Sequence, residues 1–276
     1  SSSKLSRQEN RSLCAAVFFV LCSVQLRQSF GARVVAQRTG CELPVMEVIL
    51  PVLPAADDIW LNLLAFAWLV LCWVGYTYYA EYKGRNTACL ASILHLYRLD
   101  WMNRLLLRDQ RIADASVVGN LERNTAFFAS STLLILAGLL AVLGATDRAQ
   151  SLLQELPFVA TVSREVSELK LLVMVGIFVY AFFTFSWGMR QYNFASVLVG
   201  SAPIVGEKNV SEVERKAYAE RAAQVLSMAA HEFNLGLRAY YFALATLSWF
   251  INPWLFILVT TGVVGVLYRR EFHSDV

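Results

Sequence analysis

The stretch LASILHLYRLDWMNRLLLRDQRIADASVVGNLERNTAFFASSTLLILAGLLAVLG, Leu90–Gly144, decides how the rest of the chain is read. Its first half sets Arg98, Arg104, Arg108 and Arg111 among Leu94, Trp101, Leu105 and Ile112, whereas Thr125–Gly144 carries no charge at all. The pattern predicts a basic, amphipathic helix leading into a helix apolar enough to cross a bilayer. Working outward from it, every other segment is assigned by asking which side of the membrane those arginines hold.

Composition agrees with that environment. Hydrophobic residues make up 57% and charged residues 16% of the chain, and the mean hydropathy is +0.49, far from the averages of water-soluble domains. The formal charge of +3 is too small for a nucleic-acid-binding domain and comes from local arginine clusters. No nucleic acid partner is expected. The cysteines Cys14, Cys22, Cys41, Cys72 and Cys89 form no CxxC pair, so they read as small buried hydrophobes rather than a disulfide or metal framework.

Upstream of the stretch, residues 1–45 differ from the rest. Lys4, Arg7 and Arg11 precede the short apolar run Leu13–Val24, with Arg27, Arg33 and Arg38 after it. The run is too short to span and suits a signal-like segment. The alternative is an artefactual extension of the reading frame, with the natural start at Met46. Residues 46–276 are expected to form a single transmembrane domain. Within it, Ile59–Ala80 is the first span, with Trp60 at one end and Trp73, Tyr76, Tyr78, Tyr79 and Tyr82 crowding the other as interfacial aromatics do.

Thr125–Gly144 is the second span, and its small Ser130, Ser131 and Gly138 would permit close helix contact. Leu171–Trp187 is the third. Ser211 followed by Glu214 forms a capping box, which predicts a helix starting there. That helix runs through His231, Glu232, Asn234 and Arg238 into a last apolar region broken at Asn252-Pro253. Leu235–Ile251 and Pro253–Arg269 are either two short spans or one long kinked helix. The expected fold is thus an all-α, polytopic transmembrane bundle of four or five spans with amphipathic cytoplasmic helices.

Lys and Arg distribution orients it. Lys83, Arg85, Arg98, Arg104, Arg108, Arg111 and Arg123 fall in one connecting segment, and Arg190, Lys208, Arg215, Lys216, Arg221 and Arg238 in another. The positive-inside rule assigns both to the cytoplasm of a cell whose inner membrane holds the protein.

Arg238 is the sharpest single candidate for chemistry. A charge at the mouth of an apolar region either lines a water-filled path that selects an anion, or it snorkels to headgroups or pairs with Glu232. Arg190, Asn193, His231 and Glu232 join it as polar-site candidates if the third span and the last long helix are neighbours. Arg98, Arg104, Arg108 and Arg111 are candidates for binding anionic lipid, at about 1 kcal/mol per basic residue near the surface, or they only fix topology. His95, His231 and His273 lack metal-ligand spacing, no GxSxG elbow or phosphate-binding glycine loop is present, and no catalytic residue, metal or cofactor is expected.

The block HLYRLDWMNRLLLRDQRIADASVVGNLERNTAFFASSTLLILAGLLAVLG, the exit FFTFSWGMRQYNF and the ending RAYYFALATLSWFINPW with VVGVLYRREFHSD resemble one family. It is the bacterial and plant membrane-protein family catalogued as domain of unknown function 599, and the resemblance covers roughly Ile59–Ser274. It implies an integral membrane protein of four or five spans and defines no catalytic residue to carry over. Polar and charged groups at the helix entrances, with small residues that would allow subunit packing, give the reading of an oligomeric channel or transporter-like protein, with the lipid bilayer and copies of itself as partners. The alternative is a non-transporting scaffold that binds a partner or anionic lipid through its cytoplasmic helices. A hydrolase using His231 and Glu232 ranks behind both.

Overall fold

The computed structural model describes residues 59–86, 90–145, 164–204 and 210–272. The readings for residues 1–45 and for the start of the domain at Met46 lie outside them. Among the described residues there are six α-helices and no strand: α1 Ile59–Asn86, α2 Leu90–Leu105, α3 Ile112–Gly144, α4 Arg164–Gly200, α5 Glu212–Leu247 and α6 Pro253–Phe272. Each long helix outruns the apolar segment that announced it. α3 begins well before Thr125, and α4 continues past Trp187 to Gly200. Once a helix is nucleated, polar residues extend it readily wherever a neighbour packs against them.

Local chemistry sets several ends. The Ser211 hydroxyl accepts from the Glu214 backbone N–H at 3.3 Å, and the Glu214 carboxylate accepts from the Ser211 backbone N–H at 2.8 Å, so both halves of the expected capping box are present. The Asn252 side chain accepts from the Trp254 N–H at 2.8 Å, with Pro253 as the first residue of α6. Proline at that position gives up only a donor that the helix would leave unpaired. The break at Asn252-Pro253 is therefore a reversal, made through the single 3-10 turn Ser248–Phe250. One long kinked helix does not form, because α6 folds back along α5 and brings Glu271 to Arg238 and Arg270 to Tyr241.

Long-range contacts fix the helix directions. α1 and α6 run parallel, with Trp68 bonded to Thr261 and Tyr76 to Glu271. α4 runs antiparallel to α5, from Lys170 beside Trp249 to the Leu198 carbonyl at Tyr218. α3 runs antiparallel to α4, since Phe128 stacks on Phe185 while Arg111 meets Ala202 and Pro203. One end of the bundle thus gathers all of α2, the start of α3, the end of α4, the first half of α5 and the ends of α1 and α6. The basic Lys83, Arg98, Arg104, Arg108, Arg111, Arg190, Arg215 and Arg221 belong to those parts.

Two apolar clusters follow from this layout. The larger joins Leu69, Phe178, Phe185, Phe242, Trp249 and Phe256 from α1, α4, α5, the turn and α6, and Cys72 is buried within it. The smaller joins Met102, Leu105, Tyr192, Val199, Ala222, Ala223 and Leu226, packing α2 and the end of α4 on the first half of α5. Close approach between helices occurs at Gly188 and Gly236. A Cβ on Gly188 would lie 3.3 Å from the Glu232 Cβ, and one on Gly236 would lie 2.5 Å from a ring carbon of Phe185. Ser130 and Gly138 do not serve that role within the chain: both are exposed, and nothing lies within 4 Å of where a Gly138 Cβ would stand.

Three helices are long and apolar enough to cross a membrane: Ile59–Gly84, Ile112–Gly144 and Glu165–Gly200. Their outward faces are strongly apolar. Trp60 is 79% exposed, Leu134 76% and Val197 67%. A surface this apolar is costly in water and ordinary against lipid. α5 and α6 fall short of the same criterion, α5 because His231, Glu232 and Arg238 interrupt it and α6 because Arg269, Arg270 and Glu271 occupy its last turn.

Candidate functional site

Arg238 lies in the second half of α5, packed against α1 and α6. Its Nη2 donates to both oxygens of Glu271, at 2.7 and 2.8 Å, and the two side chains are only 11% and 20% exposed. The Tyr76 hydroxyl donates to the same carboxylate at 2.7 Å. The guanidinium also sits over the Tyr76 ring, 5.4 Å from its centroid, so the ring's negative face and the carboxylate hold it from two sides. Arg238 Nη1 is buried with no hydrogen-bond partner. A guanidinium carries five N–H donors, so this pair leaves donors unsatisfied in a low-dielectric place.

The partner differs from the one expected. Arg238 pairs with Glu271, not with Glu232, because Glu232 faces α4, where its Cβ would meet a Cβ on Gly188. Taking two charges out of water costs several kcal/mol per ion, and their mutual attraction offsets this only with close geometry. The short distances here supply that geometry. Around the pair, Lys83 Nζ donates to the Tyr268 hydroxyl at 2.9 Å and lies over the rings of Tyr268 and Phe272 at 4.8 and 4.6 Å. Because side chains tilt toward the helix N-terminus, Lys83 reaches back along α1 toward α6.

The other polar candidates do not join Arg238. His231 Nε2 faces Glu81 Oε1 of α1 at 3.9 Å, with both side chains about half exposed. Arg190 lies outward, over the rings of Trp187 and Phe194 at 5.7 and 5.6 Å, and Asn193 donates to its own helix at the Met189 carbonyl. α4 and α5 are neighbours, as that grouping required, but helical phase turns these residues away from one another. Among the described residues no group of three His, Cys, Asp or Glu could hold a metal ion.

The four arginines of the opening stretch have distinct fates. Arg104 pairs with Asp100 one turn back at 2.8 Å, on the exposed face. Arg108 donates to the buried Asp114 at 3.1 Å, beside the Trp101 indole N–H at 2.7 Å. Arg111 donates to the carbonyls of Ala202 and Pro203, both at 2.6 Å, and so holds the chain just past the end of α4. Arg98 is half-buried, and its Nη1 reaches only the Ser227 hydroxyl at 3.5 Å. Burial pulls the Arg98 pKa down, with the nearby Tyr192 opposing the shift.

Sequence reasoning missed Glu271, Ser227 and Asp114. Glu271 is the one acid in the basic ending LYRREF, directly after an apolar run, and an acid in that position could have been sought as the counter-ion of Arg238.

A buried ion pair inside an all-helical bundle with lipid-compatible faces defines a class, the helical membrane-type protein with a polar site between its helices. The chain belongs to the family described as "Protein of unknown function, DUF599", whose sequence profile matches residues 64–276. No curated protein and no solved structure matches it.

Proposed function

We propose that the protein is a multi-pass inner-membrane protein, its arginine-rich end in the cytoplasm, acting as an oligomeric channel or transporter-like protein through the Arg238, Glu271 and Tyr76 site. The observation that carries this reading is the Arg238–Glu271 pair, which is buried between helices and leaves one guanidinium nitrogen without an acceptor. Charges kept at such a depth are expensive and characteristically belong to ion or solute pathways. With Glu271 already on Nη2, a passing anion competes with a carboxylate for the guanidinium. The pair then acts as a gate that opens by exchange of partners.

The test is flux through purified protein in liposomes, chloride first, comparing wild type with Arg238→Ala, Glu271→Gln and the double change Arg238→Met with Glu271→Met. Removing one partner strands a buried charge at about 3–5 kcal/mol, whereas replacing both leaves none, so the double variant separates loss of function from loss of fold. Flux that changes in rate or selectivity in all three supports the reading. Correctly inserted wild-type protein without flux overturns it and favours the scaffold. For that second reading the supporting observation is the corner between α2 and α3, where Leu107 and Ile112 stand 76% and 80% exposed beside the arginines, a surface suited to a partner or to lipid.

A further inference from the structure

His95 and Arg98 sit three residues apart on α2 and so share a face. That face meets Ser227 of α5. His95 Nδ1 lies 2.8 Å from the Ser227 hydroxyl, the same hydroxyl that Arg98 Nη1 reaches at 3.5 Å. The buried Tyr192 of α4 lies near Arg98 from a third helix.

The hydrogen-bonding arithmetic of this group is one-sided. An arginine can only donate, so Ser227 accepts from it. The Ser227 hydroxyl keeps its own proton and a second lone pair, so the donor between it and His95 Nδ1 follows the imidazole tautomer. The group therefore presents the remaining guanidinium N–H donors beside an imidazole and a hydroxyl that can each donate. Unlike Arg104, Arg108 and Arg111, Arg98 has neither a carboxylate nor a carbonyl acceptor among the described residues. Among the described residues this half-buried cation is answered by a hydroxyl and by no anion.

Its depth indicates which kind. From Trp249, level with Asn62 at the far end of α1, back to Ser227 along α5 is about 33 Å at about 1.5 Å per residue. That is close to the hydrocarbon thickness of a bilayer, roughly 30 Å. A bilayer boundary at Trp249 would put Ser227 at the level of the lipid phosphates on the other side. A phosphomonoester offers several acceptor oxygens and one to two negative charges, which suits several convergent donors better than chloride or a single carboxylate does.

We propose that His95, Arg98 and Ser227 form a binding site for a phosphomonoester, supplied either by the headgroup of an anionic lipid or by free phosphate. The site is independent of Arg238 and stands whether or not the protein conducts.

The test uses the full chain in mild detergent and measures binding of short-chain phosphatidic acid, short-chain phosphatidylglycerol and inorganic phosphate. Phosphatidic acid should bind, and Arg98→Gln should weaken it at least about tenfold, the equivalent of one charge-assisted hydrogen bond. Arg104→Gln, which removes an exposed arginine of the same helix, should leave it unchanged. Inorganic phosphate that binds with the same dependence on Arg98 identifies free phosphate as the ligand, and phosphatidic acid binding alone identifies the lipid. Should Arg98→Gln fail to fold, Ser227→Ala and His95→Gln carry the same comparison, each with a several-fold loss expected. Absence of binding, equal binding of phosphatidylglycerol, or equal loss in Arg104→Gln and Arg98→Gln overturns the proposal.

Discussion

Gly236 and Phe185 form the tightest contact in the larger core. Phe185 is fully buried, stacked on Phe128 and tilted against Phe233, so its ring cannot retreat from an added methyl group. Gly236→Ala should therefore destabilise the bundle by about 1–3 kcal/mol, the usual cost of overpacking, measured by thermal unfolding in detergent. Gly138→Ala, with open space at its Cβ, is the matched change and should cost nothing. Neither outcome was legible in the sequence, which marked Gly138 as the contact glycine. A glycine's value depends on what faces it, and that belongs to another helix.

Element ends were far more legible, because their determinants are local. Ser211 and Glu214 stand three residues apart and satisfy each other's backbone N–H groups. Hydrogen bonds from the Ser211 backbone and side chain hold the Glu214 carboxyl below its ordinary value. A carboxylate whose folded-state pKa is lowered adds stability that is present above the unfolded-state value and lost as pH falls through the folded one. The thermal midpoint of wild type should thus exceed that of Glu214→Gln at about pH 7, and the difference should shrink progressively as the pH falls below the ordinary glutamate value of about 4.3. A difference constant with pH would show that the carboxylate's charge is not what holds the cap. The Asn252-Pro253 break was equally visible, yet whether it kinks one helix or joins two antiparallel ones depended on whether α6 could pack back on α1 and α5.

For the molecule as a whole, the basic residues converge on one end of the bundle, although they come from four helices and the connection between α2 and α3. That convergence supports the cytoplasmic assignment of α2 and the first half of α5. Trp60 and Val213, each 79% exposed, sit at opposite ends and offer a direct test. In a background with Cys14, Cys22, Cys41 and Cys89 replaced by serine and the buried Cys72 retained, a membrane-impermeant maleimide applied to intact cells should label Trp60→Cys. It should label Val213→Cys only after the cells are opened. The reverse pattern would invert the topology.

By itself the sequence determined that the chain is helical, where its apolar segments lie, where α5 begins and where the last apolar region breaks. Each of these depends on residues within a few turns of one another, through periodicity, capping and hydropathy. The tertiary structure alone decided that Arg238 answers to Glu271 rather than Glu232, that Arg108 and Arg111 are consumed by Asp114 and the end of α4, and that Arg98 is left with a hydroxyl. Apart from Arg108 and Asp114, which meet across the corner between α2 and α3, those outcomes join residues far apart in the chain, and helical phase and packing, not spacing along the sequence, choose the partners.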